Sequence, residues 1–207
     1  MNILIILLLL IIFSLLSVLF SEYHKICIVF SILIVLLFYF FLSKSFFHTE
    51  SFYPDTKIST YKPCGNYYNL LLESLKHGKF FITNINNSQN IHILDTSIYK
   101  DKVYLYFGLT PLLLFYIPFK LITSLYLTDK FITFILGCVI FLLYLLILKI
   151  FTEKLNLKVN HFIIILSIFL IGICNYEPFL IIRGAIYEVC ILTSMTCLLI
   201  SIIILLY

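Results

Sequence analysis

Long apolar runs constrain this chain more than any other feature of its sequence. Five segments are apolar over about 20 residues, the length that crosses a hydrocarbon core: 1–20, 26–43, 131–148, 162–182 and 185–207. Because 62% of the residues are hydrophobic and only 12% are charged, a soluble globular domain is excluded. We predict an all-α integral membrane protein with about five transmembrane helices.

The apolar runs divide the chain into three predicted parts. Residues 1–43 form a transmembrane helical hairpin, because the first run lacks the basic start and the small-residue cleavage site of a signal peptide. Residues 44–127 form a long loop with amphipathic and re-entrant or juxtamembrane helices. Residues 128–207 form a three-helix transmembrane segment. The last run reaches Tyr207 without a polar tail, which favours an N-terminal portion of a longer protein, truncated at its C-terminus.

Two helical stretches are expected within the loop. Residues 67–80 place Tyr67 and several leucines at helical spacing, with Gly78 as the stop, and predict a short amphipathic helix against the membrane face. Residues 103–127 are apolar but contain Pro111 and Pro118, which leave too little uninterrupted helix to cross the bilayer. We therefore predict a broken, surface-lying helix pair there.

The lysines leave two membrane orientations open. Lys149, Lys154 and Lys158 form the densest basic short loop, which the positive-inside rule assigns to the cytoplasm. If residues 103–127 do not cross, the long polar segment and Arg183 both lie outside the cytoplasm; if they cross, the long segment lies inside. Because the rule weakens for loops near 60 residues, the proline breaks decide for the first arrangement. We predict a protein of the cytoplasmic (inner) membrane with its long loop extracytoplasmic.

Several classes of partner and cofactor find no support in the sequence. The net charge of +4 is spread over short loops, which argues against nucleic acid as a partner. His48, His77 and His92 have no ligand at metal-binding spacing, so no metal site is expected. Five cysteines lie in apolar runs and Cys64 alone lies in the polar segment, so neither a disulfide framework nor a metal knuckle is expected.

Two polar motifs resemble a known family. The stretches DTSIYKDKVYLYFGLTP, residues 95–111, and RGAIYEV, residues 183–189, are similar to motifs of uncharacterised bacterial relatives of the GT-C type polytopic glycosyltransferases. That class includes the dolichyl-phosphate-mannose protein mannosyltransferases and bacterial lipid-A aminoarabinose transferases. Residues 67–82 look like the helix of its first extracytoplasmic loop. One departure is that residues 61–66, where the class usually has a catalytic Asp, contain no carboxylate, so either another acid substitutes or the chain is inactive.

The resemblance implies a transferase that takes a sugar from a polyprenyl-phosphate donor in the membrane and gives it to an extracytoplasmic acceptor. It requires no cofactor besides that donor substrate. A carboxylate must take a proton from the acceptor hydroxyl, and Asp95, Asp101 and Asp55 are the expected catalytic residues. Cations and hydrogen-bond donors must hold the phosphate. The expected lipid-phosphate or substrate-binding residues are Arg183, Lys102, Tyr104, Tyr187 and Glu188.

Each of these residues also has a structural explanation. Asp95 and Asp101 fit a solvated turn, Arg183 and Glu188 fit a structural ion pair, and tyrosines at membrane boundaries are commonly interface anchors. The alternative function is therefore a non-enzymatic polytopic membrane protein, either a transporter subunit or a scaffold. A transporter should contain acids or broken helices within its spans. The ionisable residues gather outside the predicted spans, with Glu177 and Glu188 near boundaries, which favours the enzyme.

Overall fold

The computed structural model describes residues 24–43, 67–82, 96–100 and 102–207. The predicted first span, residues 1–20, lies outside these ranges. So do the predicted catalytic residues Asp55, Asp95 and Asp101, and the loop cysteine Cys64. These expectations remain predictions.

The described chain is mostly helical, with one small antiparallel hairpin. Its elements are α1 (His24–Ser43), α2 (Tyr67–Lys76), β1 (Thr96–Tyr99), β2 (Lys102–Leu105), a π-helical segment (Leu112–Tyr116), α3 (Ile117–Thr123), α4 (Asp129–Lys154), α5 (His161–Ile173), α6 (Glu177–Arg183) and α7 (Ile186–Leu206).

Four stretches of the described chain are long and apolar enough to cross a membrane. They are Ile26–Ser43, Asp129–Lys154, His161–Arg183 and Ile186–Leu206, with 18, 26, 23 and 21 residues. A helix satisfies its own backbone hydrogen bonds, which is why an apolar run of this length becomes helical in a membrane. The predicted class of mostly helical membrane protein is confirmed, and each of the four predicted runs after residue 20 overlaps one of these stretches.

The third stretch consists of two helices with a break between them. α5 ends at Ile173 and α6 begins at Glu177. Between them, the side chain of Asn175 donates to Ile171 O and accepts from Glu177 N at 3.0 Å. Asn side chains compete in this way with helical hydrogen bonds, and Pro178 has no N–H to continue the helix. The span predicted over residues 162–182 is therefore present, with an interruption between Ile173 and Glu177.

The prediction of a helix pair over residues 103–127 is wrong in detail. β2 occupies the first part, and one helical stretch follows, Leu112–Thr123, of which the first half is π-helical. Pro111 precedes this stretch as its N-cap residue. The π-helical turn lies directly before Ile117 and Pro118, and it accommodates the missing N–H of Pro118. At 1.5 Å per residue the stretch is about 18 Å long, too short for a hydrocarbon core of about 30 Å. The stretch is uninterrupted at Pro118.

The hairpin formed by β1 and β2 corrects the all-α prediction for residues 96–105. Thr96 pairs with Leu105 and Tyr99 pairs with Lys102. The strand residues are rich in β-branched and aromatic types, and the K-D pair between them suits a tight turn. Ile82 joins the hairpin through its N–H, which donates to Val103 O at 2.8 Å. The hairpin therefore links back to the segment that follows α2.

The helices run alternately up and down, which gives the bundle two distinct ends. Lys154 at the end of α4 donates to Leu206 O at the end of α7. At the other end, Gly184 packs against Lys130 and Thr133 near the start of α4. We call this second end the loop end, because α2, the hairpin and the π-helical segment pack there. Lys154 and the neighbouring short loop lie at the opposite end, which is the arrangement expected if residues 103–127 do not cross.

The predicted amphipathic helix is present as α2. It ends at Lys76 and is followed by Gly78, whose φ is 68°. Its buried face, which includes Tyr67, Tyr68 and Leu71, belongs to one apolar core with residues from the π-helical segment, α4 and α7. α2 is thus packed into the same core as two of the long helices.

Candidate functional site at the loop end

A pair of buried tyrosines attaches the loop to the bundle. Tyr68 in α2 is fully buried; its hydroxyl donates to Gly108 O at 3.0 Å and lies 3.0 Å from Cys190 Sγ in α7. Its ring lies 5.1 Å from that of Tyr116, centroid to centroid. Burial, and then the contact with Cys190, raise the pKa of Tyr68 far above its usual range, so Tyr68 remains a neutral phenol. The two tyrosines connect three separate elements at one point.

Asp129 is a buried acid that the sequence argument missed. It is the first residue of α4, is 2% exposed, and accepts a hydrogen bond through Oδ1 from the Tyr116 hydroxyl. Its Oδ2 is buried and has no hydrogen-bond partner within the described ranges. Burial, and then the charge of Asp129, raise the pKa of Tyr116 well above its usual value, so Tyr116 remains a donor.

The sequence carried a signal for the position of Asp129 but not for its burial. Thr128 caps α4 by accepting from Phe131 N at 3.3 Å, and a Thr-Asp pair before an apolar run is a typical helix start. Such an acid is ordinarily solvated. Asp129 is buried because residues 112–127 fold over the start of α4, which is a tertiary effect.

Glu73 forms a second clamp on the outside of α2. It accepts hydrogen bonds from Lys76 Nζ and from the Tyr126 hydroxyl, each at 2.6 Å. Burial of Glu73 raises its pKa. The hydrogen bonds from Lys76 and Tyr126 have the larger combined effect, so the pKa of Glu73 lies below its usual value. Burial and the bond to Glu73 raise the pKa of Tyr126 to about 12. Glu73 therefore holds α2 against the segment before α4.

The predicted pair of Arg183 and Glu188 is formed. Arg183 Nε lies 3.1 Å from Glu188 Oε1, and Glu188 Oε2 accepts from Ala185 N at 3.1 Å. The glutamate side chain is 3% exposed, whereas the arginine side chain is 60% exposed. Glu188 thus caps the N-terminus of α7 by accepting from Ala185 N. The guanidinium of Arg183 stays accessible at the loop end.

A second cation lies beside Arg183. Gly184 adopts φ 53°, a left-handed conformation that favours glycine. A Cβ at this position would lie 2.8 Å from Lys130 Cγ, so the turn fits closely against this lysine. Lys130 is exposed. It was not among the predicted site residues, because only the fold brings the start of α4 next to the end of α6.

The remaining predicted binding residues fall into two groups. Tyr187 lies next to Glu188 on α7; its hydroxyl is 3.0 Å from that of Tyr106 and its ring packs edge-on against Phe107 at 4.9 Å. Lys102 and Tyr104 lie on β2 and contact Phe81, at 4.6 Å and 6.0 Å from its ring centre. Arg183, Tyr187 and Glu188 are therefore together, whereas the recorded contacts of Lys102 and Tyr104 are with Phe81.

The loop end thus offers two exposed cations, Arg183 and Lys130, and a line of aromatic residues. Guanidinium and ammonium groups are good ligands for phosphate. Asp129 is too deeply buried to meet an acceptor hydroxyl. Comparisons with protein-family models, with curated proteins and with solved structures give no match.

The bond between Tyr116 and Asp129 should hold the loop to the bundle. We expect Tyr116→Phe to lower the free energy of unfolding by roughly 1–3 kcal/mol, because it leaves both oxygens of a buried carboxyl without a donor. Denaturation of the protein in detergent measures this. The matched control is Tyr99→Phe, which removes a hydroxyl from a tyrosine that is 62% exposed and should change little. Equal losses in both variants would contradict the structural role of the bond.

Proposed function

We propose that this chain is a membrane glycosyltransferase that takes a sugar from a polyprenyl-phosphate donor and gives it to an acceptor outside the cytoplasm. The observation that carries the proposal is the exposed Arg183, whose neighbour Gly184 packs against Lys130, at the end of the bundle where α2 and the hairpin pack. This end joins apolar spans to a folded polar segment. It is where the phosphate of a lipid-borne donor would meet cations.

In the proposed reaction the cations act on the leaving group. The acceptor hydroxyl attacks the anomeric carbon, the bond from that carbon to the phosphate oxygen breaks, and a carboxylate takes the hydroxyl proton. Negative charge then develops on the polyprenyl phosphate, which Arg183 and Lys130 stabilise. The carboxylate is proposed to come from Asp95, Asp101 or Asp55.

A transfer assay tests the proposal. Protein reconstituted in nanodiscs with a panel of polyprenyl-phosphate hexoses should release polyprenyl phosphate faster than empty nanodiscs do. Of the variants Asp95→Asn, Asp101→Asn and Asp55→Asn, the one at the catalytic carboxylate should abolish the release while leaving the protein folded. The matched control is Glu153→Gln, at the opposite end of the bundle, which should keep the wild-type rate. Absence of release across the panel would reject the proposed activity.

One observation favours the alternative, a non-enzymatic transporter subunit. The third span is interrupted, and Glu177, which is 1% exposed, lies at the interruption. Broken helices with buried acids are typical of transporters. In the sequence alone, the ionisable residues gather outside the predicted spans, and this distribution counts against a transporter. Under this alternative the protein would release no polyprenyl phosphate.

The side on which the loop lies can be tested with the native cysteines. Cys64 lies in the polar segment, and the other five lie in the apolar stretches, where thiols stay protonated and unreactive. A membrane-impermeant thiol reagent added to intact cells, with any outer membrane permeabilised, should label the wild type but not Cys64→Ser. Labelling that appears only after the inner membrane is broken would put the loop in the cytoplasm and contradict the proposal.

A further inference from the structure

The clearest chemical feature outside the loop end is an acid inside the bundle. Glu177 lies in the third membrane-spanning stretch, His161–Arg183, and is 1% exposed. A carboxyl in such a position is costly unless it is paired or neutralised, and ionisable groups within spans commonly mark ion or proton sites. Neither the loop-end cations nor the proposed transfer reaction uses it.

Glu177 has a single side-chain donor among the described residues. The Tyr39 hydroxyl of α1 donates to Glu177 Oε2 at 2.7 Å, between two buried side chains. Glu177 Oε1 is also buried and has no hydrogen-bond partner within the described ranges. The Asn175 side chain, whose oxygen accepts from the backbone N–H of Glu177 at 3.0 Å, also lies near this carboxyl. One oxygen of the carboxyl is therefore available to carry a proton.

Among the described residues, the side chains around Glu177 supply no positive charge. Tyr39 packs edge-on against Phe141, 6.0 Å between ring centres, within a buried cluster completed by Val35, Ile168 and Ile181. The titratable groups that face the carboxyl are Tyr39 from α1, and Cys138 and Tyr144 from α4. All three are neutral or negative. Within the described ranges, Glu177 forms no ion pair with a lysine, arginine or histidine.

These observations decide how the carboxyl is neutralised. Burial of an unpaired carboxylate costs several kcal/mol, which one tyrosine hydrogen bond does not offset. A sodium ion would need several oxygen ligands, and the side-chain oxygens recorded beside this carboxyl within the described ranges are the Tyr39 hydroxyl and the Asn175 amide oxygen. A proton needs one oxygen. We propose that Glu177 is an intramembrane proton-binding site, a carboxyl that holds a proton at neutral pH and releases it as the pH rises.

The site belongs to the interrupted part of the bundle. The Tyr39 hydroxyl crosses from α1 to α6 and meets the carboxyl next to the break between α5 and α6. Loss of the proton would leave a charge between these helices. Proton release from Glu177 therefore favours separation of α1 from α6 at this point.

Infrared spectroscopy of the folded protein in lipid tests the proposal. At neutral pH the wild type should show a carboxylic-acid C=O band that shifts in deuterated water and disappears at alkaline pH. Glu177→Gln should remove the intensity of one carboxyl from this band, whereas Asp129→Asn, at another buried acid, should retain the Glu177 band. Tyr39→Phe should move the band to higher wavenumber, because the hydroxyl donates to the carbonyl oxygen.

Labelling the wild type with carboxyl-13C glutamate gives a check that needs no variant. The Glu177 band should move to lower wavenumber, whereas a band from an aspartic acid would not. Absence of a glutamic-acid band at neutral pH, its persistence in Glu177→Gln, or its loss on addition of sodium chloride at constant pH would each overturn the proposal. The last result would assign the site to a sodium ion instead.

Discussion

Replacing Gly172 with alanine should destabilise the bundle, because α1 and α5 are in close contact at Gly172. An ideal Cβ there would lie 2.4 Å from Val35 Cγ1 and 3.1 Å from Phe141 Cε2. Val35 is β-branched and fully buried, so it has little freedom to move aside. Overpacking of this kind costs about 1–3 kcal/mol. Because alanine is the better helix former, about 1 kcal/mol offsets part of it.

A double-mutant cycle separates this clash from other effects. In a Val35→Ala background, Gly172→Ala should cost less, since both of its nearest contacts are with the Val35 side chain and the contact with Phe141 remains. Gly108→Ala is the matched control, because a Cβ there meets nothing within 4 Å. The free energy of unfolding in detergent is measured for the wild type, the two single variants, the double variant and the Gly108→Ala control. An equal loss in both Val35 backgrounds would contradict the close contact between α1 and α5.

Arg183→Ala should weaken the binding of a polyprenyl phosphate at least tenfold. A charge-assisted hydrogen bond contributes roughly 1.5–3 kcal/mol, and 1.4 kcal/mol corresponds to a factor of ten in affinity. The same substitution also leaves Glu188, which is 3% exposed, without its cation. Loss of binding by itself therefore does not distinguish a lipid contact from a structural role.

Glu188→Gln supplies the distinction. It removes the ion pair but leaves the arginine in place, and a glutamine retains an oxygen to accept from Ala185 N. If Arg183 contacts the lipid phosphate, Glu188→Gln should keep the binding and the double variant should lose it while remaining folded. Thermal unfolding in the same nanodiscs provides the folding control. Equal binding by Arg183→Ala and wild type would mean that the arginine is structural.

The spans were predictable because they depend on length and composition alone. Residues 26–43 carry nothing that stops a helix, and the predicted and observed bounds agree. The third span was harder, because Asn175 and Pro178 act together at the break. Neither residue by itself ends an apolar helix in a membrane, where neighbouring groups can recover the lost backbone hydrogen bonds.

The candidate site was predictable only where its residues are close in the sequence. Arg183 and Glu188 are five residues apart across one turn, and an ion pair between them is one of the two explanations that the sequence offers for these residues. Asp129 and Tyr116 are brought together by the fold of the π-helical segment over α4. The contact of Lys130 with Gly184 joins residues more than fifty positions apart. A single sequence contains no signal for such contacts.

The hairpin illustrates a different limit. Its alternating aromatic and β-branched residues were visible in residues 96–105, but they adjoin an apolar run that favours a helix. Short apolar stretches do not distinguish strand from helix by periodicity alone. The structure resolves this choice because Val103 pairs both with Ile98 and with Ile82. The pairing partner at Ile82 belongs to a different segment of the chain.

Binding of undecaprenyl phosphate to the purified protein in nanodiscs tests the central claim most directly. Undecaprenol is the matched ligand, since it has the same chain and lacks the phosphate. The account predicts saturable binding of the phosphate form, at least tenfold tighter than that of the alcohol, with the difference lost in Arg183→Ala. Equal affinity for the two lipids would contradict the assignment of the loop end as a lipid-phosphate site.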